Sequence, residues 1–310
     1  MARRNCDYNK VAIVGAGKVG MTAAYALLLD GIANEIVLFG RDASKLTGER
    51  LDLEHAMALT YKTKIVATDD YEDLRDTDVV VFSAGAAQLP GESRLDLVGK
   101  NVKIMETMLP PIMAVAPRAI VLMVANPVDI LTYRAIKMCG VPEGQIFGSG
   151  TTLDTARFRF HLSEFLPVNP RSIHTYVLGE HGDSSFPLIS SASVGGQSLS
   201  SFPGFSKEKA QDAYQKARDA AAEIINSKGA TYYGIGAAVT TIVRAILRGA
   251  QTVLPVSVLV HDYYGVDDIC LSLPAIIDRS GASEVIKPSL DETEQEQLRQ
   301  SAASLREFLT

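Results

Sequence analysis

The chain has 310 residues, 47% hydrophobic and 21% charged, a balance that excludes a disordered chain and leaves room for one or two sizeable cores. Its net charge of −6 argues against a general nucleic-acid binder, which carries a basic excess. Cys6, Cys139 and Cys270 are scattered, with no CxxC and no Cys/His cluster, so reduced thiols are expected and no metal site.

Met1 to Asn9 is polar and lacks the apolar stretch of a signal peptide. The apolar runs Asp78-Val-Val-Val-Phe82 and Ala119-Ile-Val-Leu-Met-Val-Ala125 are too short to span a bilayer. A cytoplasmic protein with neither membrane nor nucleic-acid partners is the expectation.

In chain order, Val11 to Val14 predicts a short strand running into Gly15-Ala-Gly-Lys-Val-Gly20, with a helix through Leu29. Glu35 to Phe39 predicts a second strand, Ala43 to Leu59 a helix, and Ile65 to Ala67 and Val79 to Ser83 further strands. Short apolar strands alternating with helices predict a parallel sheet wrapped on both faces. Near residue 150 the texture changes. Leu153 to Leu166 predicts a helix ended by Pro167, and Ser172 to Leu178 an alternating strand. Lys207 to Lys228 predicts a helix capped by Gly229, and Thr231 to Arg248 another. Gln251 to Val260 predicts a strand pair or a bulged strand, because Pro255 interrupts it. Asp291 to Phe308 predicts an amphipathic helix.

Gly15, Gly17 and Gly20 form a GxGxxG after a strand and at the opening of a helix. In that setting the first glycine permits the tight turn and the second lets backbone approach a pyrophosphate. The third allows close helix–strand packing, and the helix N-terminus supplies partial positive charge. The fold class expected is therefore α/β: a Rossmann-type doubly wound parallel sheet over 1–149, followed by an α+β substrate domain over 150–310. The acidic residue that bonds the ribose hydroxyls, about twenty residues on, is missing, since Gly40-Arg41 stands there. A carboxylate repels the 2′-phosphate of NADP, whereas Gly40 leaves space and Arg41 offers a cation. NAD is the default cofactor and NADP the alternative, with Asp42 able to substitute if the turn bends it back.

Asp154 and Arg157 share a face of one predicted helix, and His181 sits in the glycine-flanked segment Gly179-Glu-His-Gly-Asp183. These residue types suit oxidation of a 2-hydroxy acid. A histidine takes the hydroxyl proton as hydride leaves, a carboxylate fixes its tautomer, and an arginine fork grips the substrate carboxylate. Taken singly, each has a plain reading: a helical ion pair, a structural loop histidine.

Five segments in order carry a closer resemblance: Gly15 to Gly20, Ala84-Gly-Ala-Ala-Gln-Leu-Pro-Gly-Glu-Ser-Arg94, Val124-Ala-Asn-Pro-Val-Asp129, Leu153-Asp-Thr-Ala-Arg157 and Gly179 to Asp183. Over residues 10 to 309 the chain resembles the L-lactate/malate dehydrogenase family. The resemblance implies that His181 is the general acid/base, Asp154 its partner and Arg157 the carboxylate anchor. It implies that Arg94 polarises the substrate carbonyl as a loop, Gly85 to Gly91, closes as a lid. Asn126 is then placed near the substrate oxygen, Thr231 in the substrate pocket, and Ile235 beside the nicotinamide. Gly15, Gly17, Val19, Gly20, Gly40, Arg41, Ala84, Gly85 and Asn126 join Ile235 as the implied cofactor contacts.

The same resemblance places Gln88 where malate enzymes carry arginine. A second substrate carboxylate in a dry, closing pocket needs a cation, and Gln88 offers only a neutral amide. The implied reaction is therefore interconversion of lactate and pyruvate, with malate or a broader range of 2-hydroxy acids as alternatives. Leu89, where lactate enzymes commonly carry lysine, makes the lid more apolar. Arg159, about 200° around the helix from Arg157, and His174 match positions that hold fructose 1,6-bisphosphate at a subunit interface in bacterial relatives. A homotetramer under allosteric control is the corresponding expectation, with a dimer compatible.

Overall fold

The computed structural model of the chain describes residues 8–86 and 94–309. In the first half, β1 (Lys10–Val14), α1 (Lys18–Asp30), β2 (Glu35–Phe39), α2 (Ala43–Ala56), β3 (Lys64–Thr68) and β4 (Val79–Phe82) follow one another. Then come α3 (Arg94–Val115), β5 (Ile120–Met123), α4 (Val128–Cys139) and β6 (Ile146–Gly148). The six strands are parallel, in the order β6-β5-β4-β1-β2-β3. Period-2 alternation sends their side chains into two cores. Val11, Ile13, Ile36, Leu38, Val79 and Val81 meet α1 and α2 through Leu27, Leu46 and Leu53. Ala12, Val14, Val37, Val80 and Phe82 meet α3 and α4 through Met105, Leu109, Leu131 and Ala135. With both faces covered, the inner strands β4 and β5 read as unbroken apolar runs. Chain order reverses between β4 and β2 on either side of β1, which opens a crevice at the carboxyl ends of β1 and β4.

The second half contains α5 (Thr152–Ser163), β7 (Ile173–His174), β8 (Val177–Leu178), β9 (Phe186–Pro187), β10 (Ser193–Val194), β11 (Gln197–Ser198) and α6 (Lys207–Lys228). It ends with α7 (Tyr233–Arg248), β12 (Thr252–Val260), β13 (Ile269–Asp278), β14 (Gly281–Val285) and α8 (Glu292–Arg306). The antiparallel strands β12, β13 and β14 continue the sheet beyond β6, giving nine strands in one sheet. Phe158 and Leu162 of α5 pack on Ala210, Ala213 and Ala217 of α6 in a third core. Among the described residues no helix is long and apolar enough to cross a membrane.

Two expectations are corrected. Ser172 to Leu178 is not one strand: β7 pairs with β10, and β8 with β9. Threonine hydroxyls at and just before α5 take over the backbone of Val177, Thr155 Oγ1 accepting its N–H at 2.9 Å and Thr151 Oγ1, at the N-cap, donating to its carbonyl at 2.5 Å. Pro255 does not interrupt β12, which pairs with β13 in unbroken register with Pro255 opposite Pro274. The Pro255 carbonyl accepts from Thr152 Oγ1 and the Pro274 carbonyl from the Ile286 N–H. Both residues thus turn their polar edges away from the shared ladder, where a missing N–H costs nothing.

Helices α1 and α7 lie side by side in parallel. The Lys18 ammonium stands 5.8 Å from the Tyr232 ring. Beyond it, a Cβ on Gly236 would lie 2.7 Å from Thr22 Cγ2, and Arg244 pairs with Asp30. This alignment brings the start of α7 to the glycine turn.

Candidate active site

At the end of β1, Gly15 has φ +103°, and a Cβ there would stand 2.7 Å from Ala84 backbone atoms. A Cβ on Gly20 would meet the Gly15 carbonyl at 2.1 Å. Both positions exclude a side chain for the sake of the protein's own packing. Gly17 differs: a Cβ there would meet nothing within 4 Å. It is also the N-cap of α1 with no side-chain cap, so bare backbone N–H groups at a helix N-terminus face open space. That cradle fits the pyrophosphate of a dinucleotide. Ser83 Oγ donates to the Gly15 carbonyl at 3.0 Å and ties the turn to the end of β4, where Ala84 and Gly85 follow. Val19, in the first turn of α1, packs against the core beneath.

At the end of β2, Gly40 has ordinary backbone geometry, and a Cβ would make normal contact with Leu46 at 3.6 Å. Its backbone does not require glycine. Arg41 is exposed beside it. Asp42 caps α2, its Oδ1 accepting from the Lys45 N–H at 3.0 Å, so this carboxylate serves the helix rather than turning back toward the missing acidic position.

Asp154 lies in the first turn of α5, and His181 follows β8. His181 Nδ1 donates to Asp154 Oδ2 at 2.8 Å, an acceptor-only partner that fixes a proton on Nδ1. Burial pulls the imidazolium down, but the charge and hydrogen bond of Asp154 outweigh it and hold the His181 pKa above its ordinary value. Burial likewise pushes Asp154 up, yet His181 and Arg157 together leave its carboxyl below the usual range. Arg157 Nη1 donates to Asp154 Oδ1 at 3.2 Å, and its Nη2 is 3.5 Å from Thr231 Oγ1 in the turn before α7. Imidazole, carboxylate, guanidinium and hydroxyl thus converge, while Ile235 packs against the core in the first turn of α7.

Two buried residues of the site had no assigned role in the sequence. Asp129, 3% exposed in the first turn of α4, accepts the His181 N–H at 2.7 Å and the Ser257 hydroxyl at 2.6 Å. Asn101, 1% exposed, donates to the Asn126 carbonyl at 2.7 Å and accepts from the Ala86 N–H at 2.7 Å. It thereby joins the segment after β4 to that after β5. The Asn126–Pro127 peptide is cis and Asn126 itself is exposed. The readable signal for Asp129 was a lone carboxylate among Val128, Ile130 and Leu131.

Gln88 and Leu89 lie outside the described residues, as does the side chain of Arg94, whose backbone opens α3. Arg159 turns away from Arg157 and donates through Nε and Nη2 to the Thr175 carbonyl, at 3.0 and 2.7 Å. His174 is the exposed neighbour of Thr175 on β7.

Two family models cover the chain. Residues 9–148 match the lactate/malate dehydrogenase NAD binding domain, and residues 151–310 match the lactate/malate dehydrogenase alpha/beta C-terminal domain. The chain is 45% identical over 314 residues to an L-lactate dehydrogenase of Latilactobacillus sakei subsp. sakei (strain 23K), covering 100% of this chain and 96% of that one. It is 44% identical to an L-lactate dehydrogenase of Lacticaseibacillus casei, over 98% of this chain and 94% of the relative. Among solved structures, a lactate dehydrogenase from a Medee basin deep-sea metagenome library aligns with a TM-score of 0.94 at 41% identity, covering 98% of each chain.

Proposed function

The chain belongs to the lactate/malate dehydrogenase family, and from that premise we propose that it is an L-lactate dehydrogenase, interconverting L-lactate and pyruvate with NAD(H). The observation that carries the reading is the hydrogen-bonded set His181, Asp154 and Arg157. Gly15, Gly17 and Gly20 hold the dinucleotide, with Val19, Ala84, Gly85, Asn126 and Ile235 around it. When bound, the nicotinamide supplies the hydride for pyruvate reduction and accepts it in lactate oxidation. His181 delivers one proton from Nε2 to the carbonyl oxygen of pyruvate and takes it back in reverse. Asp154 fixes the tautomer and stabilises the imidazolium. Arg157 holds the substrate carboxylate by a charge-assisted pair of hydrogen bonds, with Thr231 beside it. Asn126 bonds near the reacting oxygen and Arg94 polarises the carbonyl. His181→Asn tests the reading: pyruvate-dependent oxidation of NADH should be lost, and retained turnover would refute it.

Selection of pyruvate over oxaloacetate rests on Gln88, whose neutral amide leaves a second carboxylate unpaired. Leu89, next to it in sequence, brings apolar character that suits larger 2-oxo acids. The division at 149/150 leaves the glycine turn in the first part and Asp154, Arg157 and His181 in the second, while Asn126 and Ile235 reach the site from either side of it. A cytoplasmic enzyme is the matching location.

A wider cofactor range is favoured by one observation. Gly40 has room for a side chain it does not carry, Arg41 is exposed beside it, and Asp42 is engaged in capping α2. NADPH is therefore accepted as well as NADH, and Gly40→Asp should abolish NADPH turnover while sparing NADH. Arg159, whose guanidinium donates to the Thr175 carbonyl, and the exposed His174 next to Thr175 form a fructose 1,6-bisphosphate site at the interface of a homotetramer. Fructose 1,6-bisphosphate should lower the pyruvate KM in the parent and not in Arg159→Ala.

A further inference from the structure

A buried carboxylate outside the reacting set touches the acid/base loop directly. Asp129 belongs to α4 of the first half, yet its Oδ2 accepts the main-chain N–H of His181 and its Oδ1 the hydroxyl of Ser257 on β12. The contacts cross 52 and 128 residues of sequence. One side chain therefore joins a cofactor-side helix, the extended sheet and the acid/base loop.

We propose that Asp129 is a positioning residue of the hydride-transfer reaction, fixing the His181 main chain where Asp154 meets the imidazole and adding a second negative charge that stabilises the imidazolium. The inference rests on the reading of His181 as the acid/base. A structural anchor needs only an acceptor, and a neutral amide or hydroxyl fills that role at lower cost in a buried site. A carboxylate buried beside a histidine that must carry a proton contributes its charge as well. Burial pushes the Asp129 carboxyl up to about 6, the Ser257 and His181 hydrogen bonds and the His181 charge opposing the rise, so the charge is present around neutral pH. The charged or titratable groups around it are His181 and Glu180 on the acid/base loop and Cys270 on β13, with Asp154 and Arg157 of α5 reached through His181. Among them Asp154 and Asp129 favour the imidazolium and Arg157 opposes it.

Asp129→Asn removes the charge and keeps the shape, with one amide oxygen for the His181 N–H and an NH2 group for Ser257. In the full-length enzyme, kcat/KM for pyruvate should fall about tenfold at neutral pH. The alkaline limb of its pH profile should move down by roughly one pH unit. A purely structural role lowers the rate and leaves the limb in place, and that result would overturn the proposal. Should Asp129→Asn fail to fold, Ser257→Ala carries the test. It weakens the hold on the ionised carboxylate and should move the same limb in the same direction by less, and an unmoved limb there also counts against the proposal. His181→Asn separates the two readings. If it is inactive while the Asp129→Asn limb is unmoved, only the role of Asp129 is lost. If it remains active, the acid/base reading falls and this inference with it.

Discussion

Arg244 of α7 grips Asp30 of α1 through both carboxylate oxygens, with Nε at 3.1 Å from Oδ1 and 3.0 Å from Oδ2. This pair fastens the far ends of two parallel helices whose near ends carry the glycine turn and the Thr231 turn. Arg244 is 37% exposed, so solvent screening limits its worth. Arg244→Leu should lower the unfolding free energy by no more than about 1 kcal/mol, and the loss should shrink in high salt. Denaturant titrations at low and high ionic strength check both.

The glycine turn makes a paired prediction. A side chain at Gly20 meets backbone, whereas one at Gly17 enters open space. Gly20→Val should therefore fail to fold, while Gly17→Val should fold normally with NADH affinity weakened at least roughly tenfold by the lost approach of backbone to phosphate. Thermal melting alongside fluorescence titration of NADH distinguishes the two.

Asp154→Asn should lower kcat for pyruvate reduction by roughly 10²- to 10⁴-fold, because the amide supports the wrong tautomer and no longer stabilises the imidazolium. The sign of the pH effect follows from the raised pKa of His181. Pyruvate reduction needs the protonated ring, so its rate falls as pH rises through that pKa, and lactate oxidation gains over the same interval. In Asp154→Asn both transitions should move to lower pH. Rate–pH profiles in the two directions check this.

Arg157→Lys keeps the charge but loses the planar fork. The pyruvate kcat/KM should drop roughly 10²-fold, since charge-assisted paired bonds are worth about 1.5–3 kcal/mol each. NADH binding should be unaffected. Steady-state kinetics with an independent NADH titration would show it.

The parallel half was legible because its strands, covered on both faces, form apolar runs of distinctive length: Glu35 to Phe39 is read and observed with the same ends. Ser172 to Leu178 misled because its alternation is met by two short strands, with Thr155 and Thr151 replacing ladder partners for Val177. Pro255 misled because a proline is silent when its edge faces out of the ladder, and only the pairing with Pro274 reveals that. The residue types for acid/base chemistry were readable from Asp154, Arg157 and His181. The grip of Asp129 on the His181 N–H was not, because backbone contacts between distant segments leave no periodic trace. Asn101, whose partners Ala86 and Asn126 lie on two other segments, escaped for the same reason.

The most direct test of lactate dehydrogenase activity is a side-by-side measurement of kcat/KM for pyruvate and for oxaloacetate, with saturating NADH and chiral analysis of the product. L-lactate is expected from pyruvate, with a pyruvate preference of at least roughly 10²-fold, the cost of an unpaired carboxylate in a closed pocket. Preference for oxaloacetate, or no L-lactate from pyruvate, would contradict it.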